Sequence, residues 1–193
     1  MGHASPAISC AALISMLALA GCGSSDPGTS IAPVSLKSRA IAGTTLPALY
    51  TCDGRDIPPT LEWGALPTGT GEVALIVIGL VPGRSSTSYS VSAEWAVAGI
   101  SPLLHTLPAG QPLPPGAHLG VGSDHRQTYS ICPGRGLNER YQFMLYAVPL
   151  SAGKVPRNFE DLSMLATLSK PGTTTSAIGQ GAFVVYYKRS SAS

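Results

Sequence analysis

The chain has 193 residues, of which 44% are hydrophobic and only 11% charged, well under the usual quarter. Lys and Arg number 12 and Asp and Glu 10, all beyond Cys22, so the net charge of +2 is too small to argue for nucleic acid or an anionic lipid surface as partner. The 22 Gly and 17 Pro point to many turns and long ordered loops, and no internal repeat is visible.

The amino-terminal stretch Ile8–Ala20 is an apolar run of about a dozen residues, whereas a membrane span needs roughly 20. It has the size of the h-region of a secretory signal. The run ends in Leu19-Ala20-Gly21-Cys22, which resembles the lipobox of bacterial lipoproteins. That resemblance implies cleavage before Cys22 and a lipid on its sulfur. The competing reading is an ordinary signal peptide with a chance Cys, and only His3 and the amino terminus supply the n-region with charge. Gly23–Pro33 is rich in Gly, Ser, Pro and Asp without an apolar period. It reads as a flexible tether reaching on the order of 18 Å by random-coil scaling. The expected organisation is a signal peptide at 1–21, a lipidated tether at 22–33 and a domain at 34–190. Anchoring would come from lipid on Cys22, on the extracytoplasmic side of a bacterial membrane.

About 160 residues remain after the tether, one ordinary domain with room for a core. Tyr50–Trp63 holds the Asp53-Gly54 dipeptide, a tight turn expected because Gly accepts positive φ. Pro58-Pro59 then keeps the backbone extended and removes two donors, and Leu61 and Trp63 alternate with Thr60 and Glu62 to start a half-buried strand. Cys52 precedes the turn. With Cys10 lost and Cys22 lipidated, Cys52 and Cys132 form an even pair, which in an exported protein reads as a disulfide. A metal pair is the competing reading, but there is no Cys-x-x-Cys and no His at a ligand spacing.

Val73–Ile78 is a continuous apolar run, the pattern of a strand buried on both faces. In Ser90–Ala98, Val91, Ala93, Trp95 and Val97 are expected on one face, with Ser92, Glu94, Ala96 and Ala98 on the other. Ser101–Thr128, with five prolines, reads as loop with one short strand near Gly116–Gly120. Tyr141, Phe143, Leu145 and Ala147 alternate with Arg140, Gln142, Met144 and Tyr146, and Ala182–Tyr187 has high β propensity. One helix is predicted, capped by Asn158, with Glu160 and Asp161 in its first turn and Phe159, Leu162, Leu165 and Ala166 as its apolar stripe. Lys170-Pro171-Gly172 ends it. Several strands with one late helix argue for a mostly-β sandwich.

The Tyr50–Trp63 stretch, Glu94-Trp95-Ala96-Val97, Ser130-Ile131-Cys132-Pro133-Gly134 and Glu139-Arg140-Tyr141-Gln142-Phe143 followed by Leu145-Tyr146-Ala147 carry a resemblance. Over roughly Val34–Arg189 the chain resembles the phosphatidylethanolamine-binding family, in its bacterial Raf-kinase-inhibitor-like branch. The resemblance implies a large antiparallel sheet packed on a smaller one, with short peripheral helices. It also implies a small anion pocket lined by an Asp-Pro-Asp-Ala-Pro stretch, a His before Trp, a Gly-Pro-rich loop and a His before Arg-Tyr.

This chain departs at most of those positions. The Asp-Pro-Asp stretch falls on Gly79-Leu80-Val81-Pro82, the first His is Glu94 and the second is Glu139. Pro133 and Tyr141 remain, and strand alternation puts Tyr141 on the face of Glu139. Imidazoles donate to phosphate, whereas ionised carboxylates repel it. Two close glutamates raise the pKa of one of them and suit an amine or metal cation instead. The competing reading is a pair of hydrogen-bonded rim residues, or neutralisation by Arg135 or Arg140.

The candidate ligand site is therefore Glu94, Pro133, Glu139 and Tyr141, for a small cation or a phospholipid headgroup. His118, Asp124 and His125 match no defensible metal-ligand spacing, no Gly-x-Ser-x-Gly elbow or phosphate-binding glycine loop is present, and neither metal nor cofactor is expected. The expectation is a non-enzymatic binding protein. The alternative is a protein-interaction module, an inhibitor of a protease or of signalling, acting through the loops at 101–128.

Overall fold

The computed structural model describes Met1, residues 30–82 and residues 88–191. The expected signal peptide at 1–21, the lipidation site Cys22 and most of the tether lie outside the described residues. Two short strands open the domain, β1 (Ala32–Pro33) and β2 (Leu36–Lys37), and β1 already belongs to the last residues of the segment read as tether. There follow β3 (Leu61–Trp63), β4 (Thr70–Pro82), β5 (Tyr89–Ile100), β6 (Thr106–Leu107), β7 (His118–Leu119), β8 (Asn138–Pro149), α1 (Asp161–Ser169) and β9 (Gly179–Lys188).

The large sheet runs β1-β9-β8-β4-β5-β7 and the small one β2-β3-β6. Every pairing is antiparallel except β1 with β9. This is the mostly-β, two-sheet architecture with a peripheral helix that the residue pattern predicts.

β4 is central because its apolar run leaves no face for water. Val73, Leu75 and Val77 point toward the small sheet and pack with Leu61, Trp63, Trp95 and Phe143. Ala74, Ile76 and Ile78 point the other way and pack with Ala96, Ala98, Tyr146 and the helix. β8 divides in the same manner: Tyr141, Phe143 and Leu145 face the first core, Met144 and Tyr146 the second. Phe143 stacks on its β9 partner Phe183 with centroids 4.9 Å apart.

Helix α1 appears where expected and ends before Lys170, but two details differ. Its N-cap is Glu160, without a side-chain capping bond, while Asn158 sits at φ 62 and its Oδ1 accepts from Gln127 Nε2 at 3.0 Å. Its buried residues are Asp161, Met164 and Leu168, with Leu165 half-buried; Leu162 and Ala166 face solvent. The inward positions of the helix are thus 161, 164, 165 and 168: of the predicted stripe Phe159 and Leu165 pack into the second core and Leu162 and Ala166 do not, because the first inward position is an aspartate that an apolar count passes over.

The Asp53-Gly54 turn is present, with the Gly54 N–H donating to the Thr51 carbonyl at 2.9 Å. The reason for glycine differs from the expected one. Gly54 is absent from the positive-φ glycines, and a Cβ there would collide with the Ala48 carbonyl oxygen and come within 2.7 Å of the Leu49 Cα. Close approach of two backbone segments selects it.

Candidate functional site

The site forms where two loops are joined beside the outer edge of β5, at Glu94. Cys52 and Cys132 are disulfide-bonded, with Cα atoms 5.2 Å apart, closing a separation of 80 residues. The joint is reinforced by backbone and side-chain bonds. Cys52 N–H donates to the Ile131 carbonyl at 3.0 Å, and the Asp56 carboxylate accepts from the Ser130 hydroxyl at 2.9 Å and the Ile131 N–H at 3.1 Å. The buried Tyr129 hydroxyl donates to the Tyr50 carbonyl at 2.8 Å, and its ring meets Trp95 edge-on.

Glu94 is delivered to this place by a β-bulge. Val77 pairs with Trp95 and Ile78 with Ala93, so Glu94 is the extra residue between them. A bulge re-aims its residue and breaks the alternation. The expectation that Glu94 lies on the face opposite Trp95 is therefore corrected. Its carboxylate reaches over Gly79, where an added Cβ would sit 2.7 Å from Oε1 of Glu94 and 3.2 Å from Cε1 of Tyr141. Gly79 pairs with both Ser92 and Tyr141, and its missing side chain is the space the glutamate fills.

Beneath Glu94, the Tyr141 hydroxyl donates to Oε2 of Glu139 at 2.9 Å. Tyr141 is 1% exposed and Glu139 5%, so both form the floor rather than the wall. Burial, above all, lifts the Glu94 pKa to about 7; a hydrogen bond from Ser92 opposes this, and Glu139, Asp124 and Asp56 add to it. Burial, then the neighbouring Glu139, also pushes the Tyr141 phenol well up.

The open part is a cleft of about 200 Å³ lined by Ser92, Ala93, Glu94, Asp124, Ser130 and Cys132. Of the four predicted ligand residues, Glu94 lines this cleft directly. Pro133 stands aside: it is buried, and its carbonyl accepts from Arg189 Nη1 at 3.2 Å. The cations gather on that side too. Arg189 Nε donates to Asp53 at 2.9 Å and the Tyr187 hydroxyl to the same carboxylate at 2.7 Å. The Tyr187 bond first, then Arg189 and Arg135, hold Asp53 below its ordinary value. Arg140 alternates with Glu139 and Tyr141 and so leaves β8 on its other face.

Asp56, Asp124, Ser92 and Ser130 are members that residue patterns alone did not assign to the site. No local pattern marks Asp56: its left-handed backbone, at φ 48, is one that aspartate tolerates but that only the structure discloses. His105 and His118 lie elsewhere, while His125 sits in the turn beside Asp124 without lining the cleft. His105 Nδ1 is 3.2 Å from the Gly64 carbonyl, and His118 bridges the Gly116 and Pro156 carbonyls at 3.3 and 3.2 Å. Among the described residues no group of three His, Cys, Asp or Glu is arranged to hold a metal ion. Larger clefts exist, one of about 570 Å³ beside Glu72, His118, Lys154 and Arg157 and an apolar one of about 230 Å³ along α1. Neither places a carboxyl over a buried tyrosine–glutamate pair as the Glu94 cleft does.

Residues 37–182 match the family model described as phosphatidylethanolamine-binding protein. A UPF0098 protein of Methanothermobacter thermautotrophicus is 33% identical over 108 residues, covering 53% of this chain and 68% of that relative. A UPF0098 protein of Aquifex aeolicus is 29% identical over 119 residues, covering 59% and 67%. Among solved structures, a phosphatidylethanolamine-binding protein homologue of Chlamydia trachomatis superposes with a TM-score of 0.66 at 23% identity, covering 83% of this chain and 99% of that one. Escherichia coli YbcL, described as a member of the mammalian PEBP family, does so with 0.66 at 22% identity, covering 80% and 98%. At such identities the two structures speak for the fold.

Proposed function

The chain belongs to the phosphatidylethanolamine-binding protein family, and on that premise we propose that it is a non-enzymatic binding protein, lipid-anchored through Cys22 on the extracytoplasmic face of a bacterial membrane, whose pocket has changed sign and takes a small cation. The observation that carries this reading is the bulge at Glu94. It puts a carboxylate over Gly79 and Tyr141, in a cleft shared with Asp124 and backed by Glu139 and Asp56.

An anion entering there meets several carboxyls; Arg189 is engaged at Asp53, Cys132 and Pro133, and Arg126 is exposed, 3.9 Å from Asp124. A primary ammonium fits this set of acceptor oxygens better. It offers three N–H groups to Glu94, Asp124 and the Ser92 and Ser130 hydroxyls. Binding an ammonium lowers the cost of ionising Glu94, so affinity rises with pH through about 7.

An NMR titration of the protein with ethanolamine, phosphoethanolamine, inorganic phosphate and Ca²⁺ tests this. The expected result is that the two amines shift the amides of Glu94, Ser130, Glu139 and Tyr141 and that phosphate leaves them in place. Phosphate shifting the same amides would overturn the reading. No shift with any probe would mean a retired pocket and would return attention to the loops at 101–128 and a protein partner. The anchor is tested separately, by loss of palmitate incorporation and of membrane sedimentation in a Cys22→Ser variant.

A further inference from the structure

The turn Gly122–Arg126 separates two cavities. On one side is the cleft of Glu94 and Asp124; on the other is a cavity of about 110 Å³ walled by Val121, Gly122, Ser123, His125, Glu160 and Asp161, and Ala93 borders both. The turn is closed on itself. Gly122 N–H donates to the Arg126 carbonyl at 2.9 Å, His125 N–H to the Gly122 carbonyl at 3.0 Å, and Arg126 N–H to Asp124 Oδ1 at 3.0 Å. It is fastened to β5 through Ser123, whose hydroxyl accepts from Ala93 N–H at 2.8 Å and whose own N–H donates to the Ala93 carbonyl at 3.1 Å.

Behind the second cavity stands Asp161, the first residue of α1. It is 1% exposed, and both carboxylate oxygens are buried without a hydrogen-bond partner. A Cβ on Gly120 would strike Oδ1, so the carboxyl rests against bare glycine backbone beside the Phe159 ring. A helix start ordinarily favours an anion, but a carboxylate that has left water without gaining donors is costly to ionise.

Burial first, and Asp124 second, raise the Asp161 pKa to about 7. The same Asp124 acts on Glu94 from across the turn. Asp161 thus faces Asp124, with Glu160 and His125 on the same cavity wall. Glu94 faces Glu139, Asp124 and Asp56, with Tyr141 and Tyr129 close by. The cation next to the turn is exposed Arg126, 3.9 Å from Asp124.

We propose that the Gly122–Arg126 turn is a charge-gated flap over the cleft. It stays docked on β5 while Glu94 and Asp161 are uncharged, lifts when both ionise on either side of Asp124, and is drawn back by a small cation settling between Glu94 and Asp124. The last step rests on the cation reading above; the first two do not. The sign follows from linkage. A carboxyl whose pKa is raised in the docked state favours docking at low pH, and that contribution is lost as pH rises from the solvated value toward about 7.

The test is amide hydrogen exchange of the full chain at Ala93 and Ser123, as protection factors corrected for intrinsic exchange, with Val77 and Phe143 as central-strand references. Protection at Ala93 and Ser123 is expected to fall at least about tenfold between pH 5 and pH 7 while the references hold. Asp161→Asn flattens that fall, and Asp124→Asn, which removes the shared charge, does the same should the first variant fold poorly. Ethanolamine at pH 8 restores protection in the parent, whereas Glu94→Gln, which cannot supply the second charge, keeps its protection at pH 8 with or without ethanolamine.

Protection independent of pH, or an equal fall at the references, overturns the flap. Ethanolamine shifts at Glu94 and Ser130 with no change at Ala93 and Ser123 overturn the flap and leave the cation site standing. A pH-dependent flap with no ethanolamine response of any kind supports the gating and refutes the cation reading.

Discussion

Replacing Glu94 by Gln keeps the shape of the side chain and removes its charge. In the native protein this carboxyl titrates near 7, against 4.5 for a solvated glutamate. Each pKa unit is worth about 1.4 kcal/mol, so ionising Glu94 in place costs the fold roughly 3 kcal/mol. Because the native pKa is the higher one, the folded chain holds its proton more tightly than the unfolded chain. The parent therefore loses this stability as pH rises from about 4.5 to about 7, and the Gln variant does not. Near pH 4 the two should unfold at similar denaturant concentration; at pH 8 the variant should be the more stable, by as much as about 3 kcal/mol. Guanidinium denaturation with the disulfide intact, followed by the fluorescence of buried Trp63 and Trp95, reads the difference directly. Comparing parent with variant at each pH cancels the other titrating groups. A gap that stays within about 0.5 kcal/mol from pH 4 to pH 8, or one that grows in favour of the parent, would refute the placement of Glu94 in a desolvated acidic site.

Gly79→Ala tests the same packing from below. The new methyl would meet Glu94 Oε1 and the Tyr141 ring, at a cost of about 1–2 kcal/mol after the gain from a stiffer unfolded chain. The Glu94 midpoint, followed by NMR, should fall toward 4.5 as its carboxylate is pushed outward; an unmoved midpoint would mean the cleft does not depend on a bare Gly79. Removing the disulfide in a Cys52→Ala, Cys132→Ala variant opens a loop of 80 residues, with an expected loss of about 4 kcal/mol in denaturant unfolding. A loss under about 1 kcal/mol would mean that Asp56 and the Cys52–Ile131 backbone bond suffice to hold the loops.

What patterning could and could not disclose is clearest in β5. The alternation of Ser90–Ala98 identifies a strand, but a bulge has no signature in a period-2 pattern, and its effect is to move Glu94 to the side of Trp95. Ala96 and Ala98 are fully buried, although small residues on a supposed outer face gave no hint of the helix that covers them. The apolar run of β4 was legible because both its faces meet a core. The strands β1, β2 and β6, two residues each, are made by partners far away in the chain, so no local periodicity marks them. At the site, the paired cysteines and the glutamate pair were readable by counting and by family position. Asp124 and Asp56 were not, because loop geometry alone brings the one to the cleft and sets the other behind Ser130.

The way the large sheet ends bears on how these molecules behave in company. Its outer strand β5 is twelve residues long, yet β7 covers only Val97 and Ala98. Three further positions of that edge are occupied by irregular chain: Gly120 N–H donates to the Ala96 carbonyl, Ser123 exchanges bonds with Ala93, and Ser130 N–H donates to the Glu94 carbonyl. The opposite edge is covered in kind, by β1 at Gly179 and Gln180 and by Thr44 and Leu46, which bond to Tyr186. A long bare strand is a template for another copy to pair with, and short or irregular cover removes it. The loops that build the cleft are thus also edge guards. Trimming residues 120–130 would make this protein stick to itself, and precipitation in the tube would be seen before any change in what it binds.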